Sequence, residues 1–448
     1  MYRFIEEKIQ DWIDHSKKAL LIDGARQVGK TYIIREMLKR NHIAYFEINF
    51  IERPDILGKL QAIHDNRELV PLLKLLSPLP LEDKKSVIFF DEIQKYPEII
   101  TKIKFLVDEG TYRYALSGSL LGVELKGLTS MPVGYVDMMR LYPMSLFEFA
   151  LALGVKQETL DYVRDCYEKE QKVDSIVHEK MIGVFYYYLI AGGMPSAVEA
   201  FVTKRDLYEV DKEQKAIVSH YKADFIQYEA DDRKLKIISV YDAIPSQLNK
   251  ANLKFIFTYL NKELKFDRYE NSFLWLKDAG VAIPVYIASD CKTPLVNSKE
   301  KNGFKLFLSD VGLLTSCYPF AVREEILEKN ETQLVNLGSL FENFIAEELA
   351  ANAVVPYYYR SKSVGEVDFL IEKDGEVLPL EIKSGTDYKK HKALNNLMAQ
   401  TGLKKSVVLS PFNLERDGET LYLPIYMAEF LKDKTTSKKA ISIDIAGI

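Results

Sequence analysis

Three short stretches of the 448-residue chain carry side chains whose types and spacing suit work on phosphates and cations. The first is Gly24-Ala25-Arg26-Gln27-Val28-Gly29-Lys30-Thr31, inside "ALLIDGARQVGKTYIIREMLKR" (19–40). Its glycines let backbone N–H groups approach phosphate oxygens, Lys30 reaches the β- and γ-phosphates, and the Thr31 hydroxyl is a Mg²⁺ ligand. With Tyr32 it forms the cradle expected to bind ATP, and the start of the following helix adds its dipole. The second is "SVIFFDEIQKYPE" (86–98), where an apolar run ends in Asp91 and Glu92. Asp91 is expected to help hold Mg²⁺ and Glu92 to polarise an attacking water. The third is "EVDFLIEKDGEVLPLEIK" (366–383), in which Asp368, Glu381 and Lys383 approach one another if the segment folds on itself.

These groups need particular elements to position them. Residues 19–40 are read as strand, loop and helix, and Val87 to Phe90 as a parallel strand buried on both faces. Asp91 then lies at a strand C-terminal end, where open α/β sheets bind ligands. "HIAYFEINF" (42–50) and "YRYALSGS" (112–119) supply further strands. Ser117 or Ser119 either senses the γ-phosphate or belongs to an ordinary strand-end turn.

In the third stretch, Asp374-Gly375 between apolar-rich runs predicts a two-residue hairpin turn with positive φ at both residues. Counting outward, Lys373 faces Glu376, Ile371 faces Leu378, Phe369 faces Leu380 and Asp368 faces Glu381. With side chains alternating faces, Val367, Phe369, Ile371, Leu378, Leu380 and Ile382 share an apolar face. Glu366, Asp368, Glu381 and Lys383 share a polar one. Two opposed carboxylates repel. Either this is the solvated face of a common hairpin, or Mg²⁺ or Mn²⁺ relieves the repulsion at Asp368 and Glu381.

Asp368 with Glu381-Ile382-Lys383 resembles the Asp…(Asp/Glu)-x-Lys core of the restriction-endonuclease-like nuclease superfamily. The resemblance implies a further acid on a preceding helix. "GSLFENFIAEELA" (338–350) is an amphipathic pattern with Leu340, Phe341, Phe344, Ile345 and Leu349 as its stripe, and Glu342 is the candidate. In such enzymes the carboxylates bind metal and the lysine positions or activates water. Across nearly the whole chain, "GARQVGKT", "FFDEIQKYPE", "LSGS", "LYPMSLFEF", "GGMPSAV", "FLSDVGLL" and "GSLFENFIAEEL" resemble a prokaryotic family of AAA-type ATPases. That resemblance implies an ATPase, a winged-helix-like segment and a nuclease-like region. The family often carries Gly-Arg before the "LYP" run, a candidate arginine finger, but here Tyr135 stands in that place. Arg140 or Arg113 is the substitute within the chain. Otherwise a second copy or a partner protein supplies the arginine, and hydrolysis alone is slow.

Between these regions the pattern is mostly helical from 141 to about 280, with a Gly-Pro break at "AGGMPSAV" (191–198). "ISVYDAIPSQLN" (238–249) and "RYENSFLWLKDAGV" (268–281) read as two helices of a winged-helix unit, "VAIPVYIA" (281–288) as its wing strand and 289–303 as a polar loop. Residues 233–277 carry nine basic and four acidic side chains in a chain of net charge −5. This is either a phosphate-contacting stripe for DNA or a solvated helical surface. The overall balance of 60 basic and 65 acidic residues gives no general push toward nucleic acid. Cys166, Cys291 and Cys317 are too scattered for a disulfide framework or a zinc cluster. The N-terminal residues lack an apolar signal core, and the most apolar run is too short to span a membrane. A cytoplasmic α/β protein without membrane contact is expected. Its three parts are a parallel-sheet P-loop ATPase (AAA-like) unit (1–150), a helical, winged-helix-like unit (151–305) and a restriction-endonuclease-like α/β unit (306–448).

Overall fold

The computed structural model describes residues 1–119, 132, 134–228, 231–249, 255, 269–329 and 334–432. Five parallel strands, β1 (Ala19–Asp23), β2 (Tyr45–Asn49), β3 (Val87–Asp91), β4 (Arg113–Ser117) and β5 (Val136–Arg140), form one sheet in the order β2-β3-β4-β1-β5. β1 and β3 are buried along their whole length. Their alternation divides the sheet between two cores. Leu20, Ile22, Val87 and Phe89 enter one, and Leu21, Ile88 and Phe90 enter the other. This is why both strands are apolar at every position up to their final aspartates.

A second, mixed sheet holds β6 (Ala282–Ala288), β7 (Lys299–Leu308), β8 (Tyr357–Ser361), β9 (Gly365–Lys373), β10 (Glu376–Ile382), β11 (Ser406–Ser410), β12 (Glu415–Asp417) and β13 (Thr420–Pro424). Their order is β12-β13-β11-β10-β9-β8-β6-β7. The β9–β10 hairpin has the expected register, with Lys373 opposite Glu376 and Phe369 opposite Leu380. Asp374 and Gly375 both have positive φ, 53° and 81°. The helix expected at 338–350 spans Leu337–Ala351, and its five stripe residues are fully buried.

Two features depart from expectation. The 281–288 segment is β6, paired antiparallel with β7 and parallel with β8 inside the eight-stranded sheet. The anticipated polar loop at 289–303 ends in strand, because β7 starts at Lys299, and the expected boundary at 305/306 falls inside that strand. Polar residues at a strand's first turn hid it from a hydrophobic pattern. Of the nine basic residues in 233–277, only Lys236 and Lys277 have described side chains. Lys250, Lys254, Lys262, Lys265 and Arg268 lie outside the described residues, as do the side chains of Arg233 and Lys234.

The core on the Leu20/Val87 face runs without a break through the helices between the sheets and into the second sheet. Three sequence blocks meet at its centre. Asp310 is fully buried, and its carboxylate accepts the Gly193 N–H at 2.6 Å and the Leu313 N–H at 2.8 Å. The Gly193 carbonyl accepts the Met144 N–H at 2.7 Å. A Cβ on Gly193 would stand 2.0 Å from the Met144 carbonyl oxygen, and one on Gly192 would stand 2.2 Å from Asp310 Oδ1. Helix Leu337–Ala351 clamps the same place. Glu347 accepts the Val311 N–H at 2.7 Å, and Glu348 accepts the Leu146 N–H at 2.8 Å. Gly193→Ala is therefore expected to lower stability by about 2–3 kcal/mol or more. Gly58→Ala, in an open helical position with nothing within 4 Å of the new carbon, is expected to raise it by ~0.5–1 kcal/mol. Urea unfolding of both variants checks the contrast.

Candidate functional site

The loop after β1 and the C-terminal ends of β3 and β4 line one side of a cavity of about 790 Å³. Gly29, Lys30, Thr31, Asp91 and Glu92 all face it. Helix Lys30–Arg40 starts at the lysine, after Gly29 in the left-handed conformation. The Lys30 ammonium donates to the carbonyls of Gly24 (3.1 Å) and Ala25 (2.7 Å). Burial lowers its pKa to about 8, although Glu92, Asp23 and Asp91 pull the other way. A buried ammonium held only by carbonyls gains from an anion placed beside it.

Asp91 collects neutral donors. Its Oδ1 accepts the hydroxyls of Thr31, at 2.9 Å, and Ser117, and its Oδ2 accepts the Asn49 amide at 3.0 Å. Glu92 has φ 57°, a conformation that costs a non-glycine residue ~1–3 kcal/mol and is concentrated at functional sites. Its carboxylate accepts the Gln94 amide. Of the two serines left open by the sequence, Ser119 lines the cavity, whereas Ser117 is fully buried against Asp91. Val28 points into the core and Tyr32 lies exposed at the cavity rim. The oxygens of Thr31 and Asp91 fit a hard divalent cation that takes its other oxygens from phosphates and water.

The facing wall comes from helices Pro195–Lys204 and Leu207–Tyr228, through Pro195, Glu199 and His220, with Met144 beside them. The wall grips the phosphate loop. Arg26 pairs with the buried Asp224, Gln27 shares a 2.8 Å hydrogen bond with His220, and the Tyr221 hydroxyl donates to the Arg26 carbonyl at 3.2 Å. Sequence reasoning missed Asp224 and His220, since nothing local links residues almost two hundred positions from the loop. Asn49 ends a strand beside Asp91 and was within reach of the strand-end argument. The two arginines named as substitutes part ways. Arg113 stacks on Trp12 and donates to the Trp12 and Ile13 carbonyls, at the sheet end away from the loop. Arg140, at the C-terminal end of β5, lies 3.4 Å from Asp23.

The hairpin residues also converge, but on a lysine that the sequence reading passed over. Lys305 on β7 is fully buried, with its ammonium 2.9 Å from both Glu342 and Glu366. Burial opposes its charge, yet Glu342, Asp368 and Glu366 outweigh that and raise its pKa above the usual lysine range. Asp368 accepts the Ile382 N–H at 2.8 Å, and Lys383 donates to Glu381 at 2.8 Å. Burial lifts Glu342 to about 8 against the pull of Lys305. Burial and then the neighbouring Asp368 lift Glu381 to about 8. The face is not a solvated one at Glu381, which is buried. Among the described residues no group of three or more His, Cys, Asp or Glu is arranged to hold a metal ion. Two ammonium groups, those of Lys305 and Lys383, stand among these carboxylates. The signal that could have found Lys305 is a lone basic residue in "GFKLFL" (303–308).

Residues 16–150 match the family profile described as "AAA domain". The N-terminal region is an AAA-type P-loop ATPase domain. Residues 183–323 and 337–427 match two further profiles, each described as a domain of unknown function, DUF8612 and DUF4143. No curated protein matches the chain. Among solved structures, the Walker-type ATPase PABY2304 of Pyrococcus abyssi is 17% identical, with 70% of this chain and 94% of that one covered and a TM-score of 0.42. AMPPCP-bound DnaA from Aquifex aeolicus is 8% identical (61% and 86% covered, TM-score 0.30). Cdc6p from Pyrobaculum aerophilum is 12% identical (73% and 94%, TM-score 0.26). Among the described residues no helix is long and apolar enough to cross a membrane.

The Arg26–Asp224 pair is lopsided, since Asp224 is buried and Arg26 is 39% exposed. Arg26→Ala strands a buried carboxylate and is expected to cost ~3 kcal/mol. Asp224→Asn leaves an arginine that water can reach and is expected to cost ~1 kcal/mol. Chemical denaturation without nucleotide measures both.

Proposed function

We propose that the chain is an ATP-driven switch, in which the nucleotide held at the phosphate loop sets the relation between the 1–150 unit and the remainder of the chain. The observation that carries this is the construction of the cavity. One wall is the phosphate loop with Asp91 and Glu92, and the other is a pair of helices, of which Leu207–Tyr228 is hydrogen-bonded to that loop. Beside the cavity, Met144 and Gly193 are joined to Asp310 at the base of the second sheet. Bound phosphates would draw Lys30 away from the Gly24 and Ala25 carbonyls, and the loop change would reach Arg26 and Gln27, hence Asp224 and His220.

In this reading Gly24 to Tyr32 cradle the phosphates, and Thr31 and Asp91 hold Mg²⁺, which neutralises charge on the phosphate oxygens. Glu92 orients and polarises the attacking water, while Gln94 and Ser119 steady it through the Gln94 amide. With Arg113 committed to Trp12 and Arg140 beside Asp23, the stabilising arginine comes from a second copy or a partner protein. The helical segment that follows the 1–150 unit relays the nucleotide state, and the unit built on the eight-stranded sheet delivers it to a protein partner.

A second reading keeps the restriction-endonuclease-like resemblance, with a winged-helix middle segment gripping DNA and the C-terminal unit cutting it with Mg²⁺ or Mn²⁺. Its support is the convergence of Asp368, Glu381 and Lys383 with Lys305 and Glu342. Metal-dependent cleavage of DNA by the full chain separates the two readings.

Lys30→Ala is expected to lose ATP binding, at least tenfold in affinity by calorimetric titration, whereas near-normal affinity would sink the assignment. Glu92→Gln is expected to keep binding while turnover falls ~10²-fold or more, read as phosphate release. Equal turnover in Glu92→Gln and the parent would remove Glu92 from its role.

A further inference from the structure

We infer that Glu199 selects the sugar of the bound nucleotide. Its carboxylate accepts the 2′- and 3′-hydroxyls of a ribose, and the site prefers ribonucleoside triphosphates for that reason. Glu199 has this role only if the cavity is the ATP site, so the assignment rests on that reading.

The wall facing the phosphate loop is a helical hairpin, Pro195–Lys204 followed by Leu207–Tyr228. Each helix presents one stripe. Pro195, Glu199 and Val202 line the cavity from the first, and Glu213, Ile217 and His220 line it from the second. Spacings of three and four residues keep each set on a single helix face. One end of each stripe is anchored at the loop. The Pro195 ring lies 3.8 Å from the place a Cβ on Gly29 would take, and His220 is hydrogen-bonded to Gln27. With a rise of ~1.5 Å per residue, Glu199 and Ile217 stand ~5–6 Å along the helices from these anchors, and Val202 and Glu213 stand ~10 Å along. A ligand whose phosphates fill the loop has its sugar next and its base beyond. Glu199 is the carboxylate at the depth of the sugar. Glu213 lies one turn further out, level with Val202.

The charge of the cavity points the same way. Lys30, Arg26 and Arg35 put positive charge on the loop side. Among the described residues, the lining of the facing wall includes two carboxylates, Glu199 and Glu213, and no lysine or arginine. Lys204, at the tip of the hairpin, pairs with Glu209. A carboxylate beside a triphosphate repels it, and an ionised carboxylate only accepts hydrogen bonds. Such a group suits a nucleotide site where it meets a neutral part of the ligand that brings donors. A ribose brings two adjacent hydroxyls, and an acidic side chain on ribose hydroxyls is a recurrent pairing in nucleotide sites. Glu199 is exposed, and among the described residues its carboxylate has no hydrogen-bond or ion-pair partner. Its oxygens are available to a ligand, and its removal leaves no buried group stranded.

The test is calorimetric titration of the full-length chain in Mg²⁺ with ATP, with 2′,3′-dideoxy-ATP and with inosine triphosphate, which lacks the amino group of adenine. The proteins are the parent, Glu199→Ala and Glu213→Ala. The parent is expected to bind ATP ~10-fold or more tightly than dideoxy-ATP, the difference made by hydrogen bonds to a charged acceptor. Glu199→Ala is expected to bring ATP down to the dideoxy-ATP level without weakening dideoxy-ATP. Glu213→Ala is expected to keep the sugar preference. A parent that binds both sugars equally would overturn the proposal, as would a Glu199→Ala variant that weakens both ligands alike or keeps the preference. Loss of the sugar preference in Glu213→Ala in place of Glu199→Ala would also overturn it. If Glu199→Ala instead erases a preference for ATP over inosine triphosphate and leaves the sugar preference intact, the carboxylate meets the base and the proposal falls. Failure of the ATP reading looks different. A parent that binds none of the three ligands, or whose affinity survives Lys30→Ala, denies the phosphate site itself, whereas ATP binding without a sugar preference denies only the role of Glu199.

Discussion

The buried carboxylate of Asp310 is the constraint around which the two halves of the molecule are arranged. An aspartate with no access to water must be supplied with donors, and this one takes them from the backbone of two separate segments, at Gly193 and Leu313. Burial pushes its pKa up to about 6 while the surrounding amides pull it down. The glycines at 192 and 193 follow from that demand, since side chains there would collide with Asp310 and with the Met144 carbonyl. Met144 and Pro195 in turn line the nucleotide cavity. A hydrogen-bonding requirement in the middle of the chain thus sets the position of a wall facing a site whose other side comes from residues up to Ser119.

The two acidic centres show how the chemistry of a carboxylate's neighbours decides what it can do. Asp91 is held by two hydroxyls and an amide, neutral donors that fix its orientation and leave its negative charge available to a cation. The C-terminal carboxylates are held by ammonium and guanidinium groups, which fix them equally well and consume the charge. Asp91 ends its strand, whereas Asp368 lies inside β9 and Glu342 on a helix. The difference lies in whether the donors carry charge, and a motif written only as acids and a lysine does not record it.

Local signals in the sequence were enough for elements whose determinants are local. Glycine spacing before Lys30, the apolar run ending at Asp91, and Asp374-Gly375 each encode geometry within a few residues, and the β9–β10 register followed by counting. Contacts between distant segments were not legible. Lys305 meets partners 37 and 61 positions on, and Arg26 meets one 198 positions on, with nothing in the intervening residues to announce them. The strand β7 was lost because its first residues are polar, and β6 was assigned to a wing because strand character alone does not reveal which sheet a strand joins.

The position of β7 has a consequence for dissecting the molecule. A fragment beginning at 306 would start partway along that strand, lose β6 altogether, and leave β8 without its parallel neighbour at Tyr357–Tyr359. It would also leave Lys305 on the discarded piece, so that Glu342 and Glu366 lose their ammonium. An excised C-terminal half would therefore carry carboxylates that the intact chain neutralises, and its behaviour toward cations would not report on the intact chain. Truncations that respect the continuity of the sheet must begin upstream of Ala282.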